Sequence, residues 1–114
     1  MKELNEFLKY SDLFEIYKSL ISEKQRMYLK AYFEEDNSLT EIAEAMKVSK
    51  QAVYDMIKKV CKKLDFYENE LHIYKNARDK LLLLKDLRNN FNKEYLDKLI
   101  QKLEEDSYVW RFKW

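Results

Sequence analysis

The sequence predicts an all-α protein: a head of three to four helices followed by a long C-terminal helical arm. Three observations carry this. The 114 residues include no glycine and no proline, which removes the tight turns of β-hairpins and the glycine-rich phosphate loops of nucleotide enzymes. Apolar residues recur at three- and four-residue steps through most of the chain, the spacing of helices with one buried face. Serines at 22, 38 and 49 each stand where a helix cap is needed, just ahead of such a run.

The segment from Glu3 to Leu20 places Leu4, Phe7, Leu8, Leu13, Phe14, Tyr17 and Leu20 on one face of an amphipathic helix. One helix or two is open from sequence, and Ser11-Asp12 favours a fresh start at Ser11. Ser22-Glu23-Lys24-Gln25 is a capping box, in which the serine hydroxyl takes the amide three residues on and the glutamine returns the bond. The helix it opens is expected to run to about Glu35 and to stop at the turn-forming cluster Asp36-Asn37-Ser38. Ser38-Leu39-Thr40-Glu41 repeats the box and opens a short helix through Ile42, Ala43 and Met46. After Lys47-Val48-Ser49 a further helix begins at Lys50, with Val53, Met56, Ile57, Val60 and Leu64 on one side.

Two helices joined by three residues make a helix-turn-helix. Ala43 supplies the small residue at the crossing, Val48 the apolar anchor beneath the turn, and Ile42, Met46, Val53 and Met56 the surrounding core. Lys47 occupies the place where left-handed backbone favours glycine, at a cost of roughly 1 kcal/mol. The head is therefore residues 1–66, wingless, with its recognition helix at about 50–66. The remainder, 67–114, forms the arm and an aromatic tail, either packed in the same unit or serving as a dimerisation element. The arm carries Tyr67, Leu71, Tyr74, Leu81, Leu84 and Leu87 at drifting helical spacing, and a break is expected around Asn89-Asn90 and Asn92. Tyr95, Leu96, Leu99, Ile100 and Leu103 then mark a last amphipathic helix, and Tyr108–Trp114 alternates apolar and basic residues as an extended strand would.

Charge and composition narrow the function classes. With 22 basic and 21 acidic residues the net charge is +1, so contact with nucleic acid has to come from uneven placement of charge. Placement is uneven: residues 49–63 hold five lysines against Asp55 alone, whereas residues 34–46 hold five acids and no base. At 100° per residue, Gln51, Tyr54, Asp55, Lys58 and Lys62 lie opposite the buried side of the second helix, with Lys50 at its N-terminal end and Lys63 toward a backbone. Glutamine pairs bidentately with adenine, lysines reach phosphates or guanine, and amides at a capped helix start hold a phosphate. One cysteine, Cys61, excludes an internal disulfide, and one histidine, His72, leaves too few soft ligands for a zinc site. No secretory signal stands at the N-terminus, and the longest aliphatic run, Leu81–Leu84, is too short to span a bilayer, so a cytoplasmic protein with a reduced thiol is expected.

The stretch Leu13-Phe14, Tyr17, Ser19-Leu20-Ile21-Ser22-Glu23-Lys24-Gln25-Arg26 and Tyr28, then Ser38-Leu39-Thr40-Glu41-Ile42-Ala43-Glu44, then Val48-Ser49-Lys50-Gln51-Ala52-Val53-Tyr54-Asp55 with Ile57-Lys58, resembles the YlxM family of small bacterial helix-turn-helix proteins. The resemblance runs in register from about Leu13 to Tyr74. That family is similar to the promoter-reading domain of sigma factors, and its genes typically sit beside those of the signal recognition particle protein or its receptor. The resemblance thus implies a sigma-like head, DNA as ligand, and a role in the signal recognition particle pathway. One feature departs from sigma-like domains: their exposed recognition positions are commonly basic or amide, whereas the central pair here is Tyr54-Asp55.

Each residue singled out also has a plain structural role. The lysine face serves equally as a solvated surface, Tyr17, Tyr28, Tyr32 and Phe33 at helical spacing belong to a core rather than a base-stacking platform, and His72 has no partner set for catalysis. Cys61 beside Lys62 and Lys63 has neighbours that lower a thiol pKa, yet a small packed side chain is the simpler role. No enzyme, cofactor, metal or small-molecule substrate is implied. The leucines of the arm need a cover, for which a second copy of the chain is expected ahead of the chain's own last helix. An adaptor that contacts the signal recognition particle protein or RNA without binding DNA is the alternative function.

Overall fold

The computed structural model describes residues 4–105 and resolves them into six α-helices; the tail Tyr108–Trp114, expected as an extended strand, lies outside the described residues. Backbone packing divides the chain into two compact units, Met1–Lys75 and Asn76–Trp114.

In the first unit, α1 (Leu4–Tyr17) runs through Ser11 without interruption, so the fresh start expected there does not occur. Packing overrides the cap: Tyr10 donates its hydroxyl to Asp65 at 2.6 Å on one side of Ser11, and Leu13 and Phe14 are buried on the other. A single 3₁₀ turn, Lys18–Leu20, closes the helix, and the Arg26 guanidinium donates to the carbonyls of Lys18 at 3.2 Å and Ile21 at 2.7 Å, at the helix end where carbonyls lack helical partners. The Ser22 capping box is present and opens α2 (Glu23–Leu29). The expected continuation to about Glu35 is helical but not regular: Lys30–Glu34 forms a π turn, closed by the Glu35 amide donating to the Lys30 carbonyl at 3.0 Å. The added residue lets two consecutive aromatics face one cluster, with Tyr32 and Phe33 packing on Phe7 at ring-centre distances of 5.6 and 5.1 Å.

The second capping box, Ser38 with Glu41, opens α3 (Leu39–Met46). Lys47 ends it in the left-handed region (φ 58°, ψ 45°), as the sequence requires. Its amide donates to Glu44 and that of Val48 to Ala43 at 3.1 Å, so the turn is closed by a Schellman pair of backbone bonds. Val48 itself is 39% exposed and is not the buried anchor that the sequence suggests; the backbone pair, with Ile42, Ala43 and Val53 buried around it, does that work. Ser49 caps α4 (Lys50–Leu71), which runs past the expected end near residue 66 and contacts α1, α2 and α3. Its buried side (Val53, Ile57, Val60, Cys61 and Leu64) meets Leu13, Phe14, Tyr17 and Leu29 in one core. Each large apolar side chain buried in this way contributes about 1.5–3 kcal/mol, and together they outweigh a cap worth about 1 kcal/mol, so α4 is the spine of the head.

His72, also left-handed (φ 54°), separates α4 from α5 (Ile73–Asn89), a break that the sequence does not announce. The first amides of α5 are taken by side chains of the head. The Glu68 carboxylate accepts from Tyr74 at 3.0 Å and Lys75 at 2.9 Å, and the Tyr17 hydroxyl accepts from Ile73 at 3.3 Å while donating to Glu68 at 2.6 Å.

In the second unit, the expected break at the asparagines is observed, with Asn92 capping α6 (Lys93–Glu104) through the Tyr95 amide at 2.7 Å. The Tyr95 hydroxyl donates to Asp86 at 2.6 Å, joining α6 to α5. Leu87 is buried, whereas Leu81, Leu82, Leu84 and Ile100 are exposed, so Leu81, Leu82 and Leu84 of α5 remain uncovered in this unit.

Candidate nucleic-acid interface

The candidate surface is built on α4 because burial of Val53, Ile57, Val60 and Leu64 turns the opposite side of that helix to solvent. Lys50, Gln51, Tyr54, Asp55, Lys58, Lys62 and Lys63 are all exposed there. At the N-terminal end the Ser49 hydroxyl accepts the Ala52 amide at 3.0 Å, which leaves the other first-turn amides and the positive end of the helix dipole directed outward beside Lys50. A shallow cleft of about 420 Å³, lined by Leu39, Lys50, Gln51 and Tyr54, lies between this end and the start of α3.

Four of these residues are organised in pairs one turn apart. Gln51 donates its side-chain amide to Asp55 at 2.9 Å. That bond fixes the orientation of the glutamine amide and leaves its carbonyl oxygen and second N–H for a base edge; it also occupies the one acid on the face. The Lys58 ammonium sits 5.6 Å from the ring centre of Tyr54, a cation–π contact that holds both side chains against the helix.

The charge division read from the sequence becomes a spatial one. Exposed Glu41 and Glu44 lie on α3, and exposed Glu34, Glu35 and Asp36 lead into it, while Lys50, Lys58, Lys59, Lys62 and Lys63 lie exposed on α4. Phosphates are therefore drawn to α4 and repelled from α3. Lys59 also belongs to the exposed side, one turn from Lys62 and Lys63; a face projected around Gln51 and Tyr54, rather than directly opposite the core, leaves it out.

The remaining candidates have structural roles. Tyr17 and Tyr28 are buried and Tyr32 and Phe33 are partly buried, as expected of core residues. Burial pushes the Cys61 thiol up to about 12, with the negative charges of Asp65 and Glu6 acting in the same direction, so the neighbouring lysines do not activate it. His72 serves as the left-handed end of α4.

The capped pair α3 and α4, joined by a left-handed lysine and carrying an exposed basic face, define a helix-turn-helix protein. The family described as "Putative helix-turn-helix protein, YlxM / p13 like" (UPF0122) matches residues 4–105, and the chain belongs to that family. It is 48% identical over 103 residues to UPF0122 protein FN1394 of Fusobacterium nucleatum, across 88% of this chain and 97% of the relative. Similar too are UPF0122 protein OB1530 of Oceanobacillus iheyensis, 38% identical over 102 residues (90% of this chain, 97% of the relative), and UPF0122 protein YofM of Lactococcus lactis, 39% identical over 103 residues (90% and 91%).

Proposed function

We propose that the protein is a non-enzymatic, DNA-binding regulatory protein of the cytoplasm, with Gln51, Tyr54 and Asp55 facing base edges and Lys50, Lys58, Lys62 and Lys63 facing the phosphate backbone. The observation that carries this reading is the exposed side of α4: lysines on a capped helix start and along two further turns, with Gln51 oriented by Asp55. Asp55, bonded to Gln51, acts by orienting it and accepts a cytosine amine more readily than it tolerates a phosphate. The exposed Leu81, Leu82 and Leu84 support assembly into a two-fold dimer, which presents two recognition helices to a two-fold site.

The test is binding to labelled duplex DNA across a salt series, with Lys50→Ala/Lys58→Ala as the control. Each lost phosphate contact flattens the slope of log affinity against log salt by about 0.9, so the double variant is expected to lose nearly 2. Equal slopes for variant and parent refute the assignment of this face. A second reading, an adaptor for the signal recognition particle protein or RNA, is favoured by the same exposed leucines, which suit a protein partner as well as a second copy. It predicts recovery of particle protein or RNA with the purified chain, unaffected by the double variant and without duplex DNA binding.

A further inference from the structure

Directly opposite the buried side of α4, Lys59, Lys62, Lys63 and Phe66 follow one another at the 3-, 4- and 7-residue intervals that place them on a single stripe. Phe66 is 60% exposed, and its ring stands edge-on to Tyr67, with centres 6.0 Å apart and planes at 61°. An aromatic ring left in water on a helix whose core residues are otherwise sealed is a binding element or a liability. Its surroundings favour the first. The three lysines precede it within about 10 Å along the axis, at 1.5 Å per residue. The adjacent acid, Asp65, is engaged by Tyr10 at 2.6 Å and Lys9 at 3.4 Å, away from the stripe. Exposed Glu70 then ends the basic run one turn further on.

A flat aromatic face beside a short row of cations matches one ligand chemistry, a nucleobase whose ring is free to stack and whose flanking phosphates reach the lysines. A protein partner fits less well, since three lysines around one phenylalanine present a strong single-sign field and little apolar area. Resting on the nucleic-acid reading above, we infer that Phe66 is a stacking platform for an unpaired base, with Lys59, Lys62 and Lys63 holding the phosphates on either side. The preferred ligand then carries a bulged or single-stranded nucleotide next to the paired segment that meets the N-terminal half of α4. That chemistry is shared by DNA and RNA.

The experiment uses the full chain with hairpins bearing one bulged 2-aminopurine, made in DNA and in RNA, and with the same hairpins fully paired. Wild type and Phe66→Trp are expected to bind the bulged form more tightly than the paired form and to change the fluorescence of the probe. Phe66→Leu, which retains bulk but has no aromatic face, is expected to lose about 5- to 150-fold on the bulged form, the range of aromatic stacking, with the paired form unchanged. Comparison of the two sugar series identifies the natural source. Equal binding by Phe66→Leu, or bulge binding without a fluorescence change, overturns the inference while lysine-dependent binding to the paired form leaves the proposed function standing. No binding to any hairpin overturns both. A change in sedimentation of Phe66→Leu in the absence of nucleic acid assigns the ring to a contact between copies and also overturns it.

Discussion

Replacing Glu68 by glutamine tests the junction between α4 and α5 most sharply. The carboxylate holds three donors: the Tyr17 hydroxyl and the Tyr74 amide on Oε1 at 2.6 and 3.0 Å, and the Lys75 amide on Oε2 at 2.9 Å. A glutamine keeps one acceptor and turns an NH₂ toward the remaining donor, so at least one charge-assisted bond is lost, worth about 1.5–3 kcal/mol. Loss of a negative charge at the start of α5 adds about 0.3–1 kcal/mol. The expected total is about 2–4 kcal/mol, a fall in Tm on the order of 10–30 °C for a unit of this size. The pH dependence has a definite sign. Burial raises the Glu68 pKa, but the bonds from Tyr17, Lys75 and Tyr74 together outweigh it and hold the group below the ordinary carboxylate range. Its contribution is therefore full above the pKa of the unfolded chain and is lost as pH falls through the folded value. Urea titrations at pH 7 and at descending pH are expected to show the largest gap between wild type and Glu68→Gln at pH 7, closing in acid. A gap below about 0.5 kcal/mol at pH 7, or one that does not change with pH, refutes the assignment, since charge-assisted bonds of this number exceed that bound.

Tyr17 provides the alkaline counterpart. Burial first, then the bond to Glu68, raises its pKa from 10.0 to about 12, so its contribution is full below pH 10 and lost on the way to pH 12; Tyr17→Phe is expected to remove that alkaline step in a pH–stability profile. Lys47→Gly relieves a left-handed residue and is expected to stabilise the head by about 1 kcal/mol in thermal denaturation, with equal Tm or a loss counting against strain at the turn. Ser49→Ala removes the cap of α4 and is expected to cost about 1 kcal/mol in the same assay. Cys61, buried with its thiol pKa near 12, is expected to react with a disulfide reagent at pH 8 only as fast as the protein opens, so prompt reaction in native buffer refutes its burial.

Much of the head is written locally. The boxes at Ser22 and Ser38, the cap at Ser49, the left-handed Lys47 and, beyond the head, the cap at Asn92 each depend on residues three or four apart, and each is observed. What the sequence hides is non-local. Ser11 carries a start signal that is overruled by Leu13 and Phe14 packing in the core and by Tyr10 reaching Asp65, 55 residues away. The break falls on a histidine, His72, rather than on glycine, proline or asparagine, and is held by Tyr17 and Glu68, 51 residues apart. The π turn at Lys30–Glu34 answers to Phe7 on another helix. On the candidate face, which side chains point outward follows from helical period alone. That Asp55 holds Gln51 is open to the same arithmetic, since residues four apart meet on a helix.

The position of α4 as the spine of the head bears on how the protein emerges from the ribosome. Leu13, Phe14 and Tyr17 are made early, yet the residues that bury them, from Val53 to Leu64 and on to Glu68, are made some forty to fifty residues later. Until then α2 and α3 have their capping boxes, and the aromatic contacts of Phe7 and Phe14 with Tyr32 and Phe33 are available to the early segments, but the side that α4 covers stays open. A head halted before α4 therefore leaves Leu13, Phe14 and Tyr17 without the residues that bury them, an exposure that one late helix ends. Translation speed through α4 sets how long a chaperone or protease has access to it.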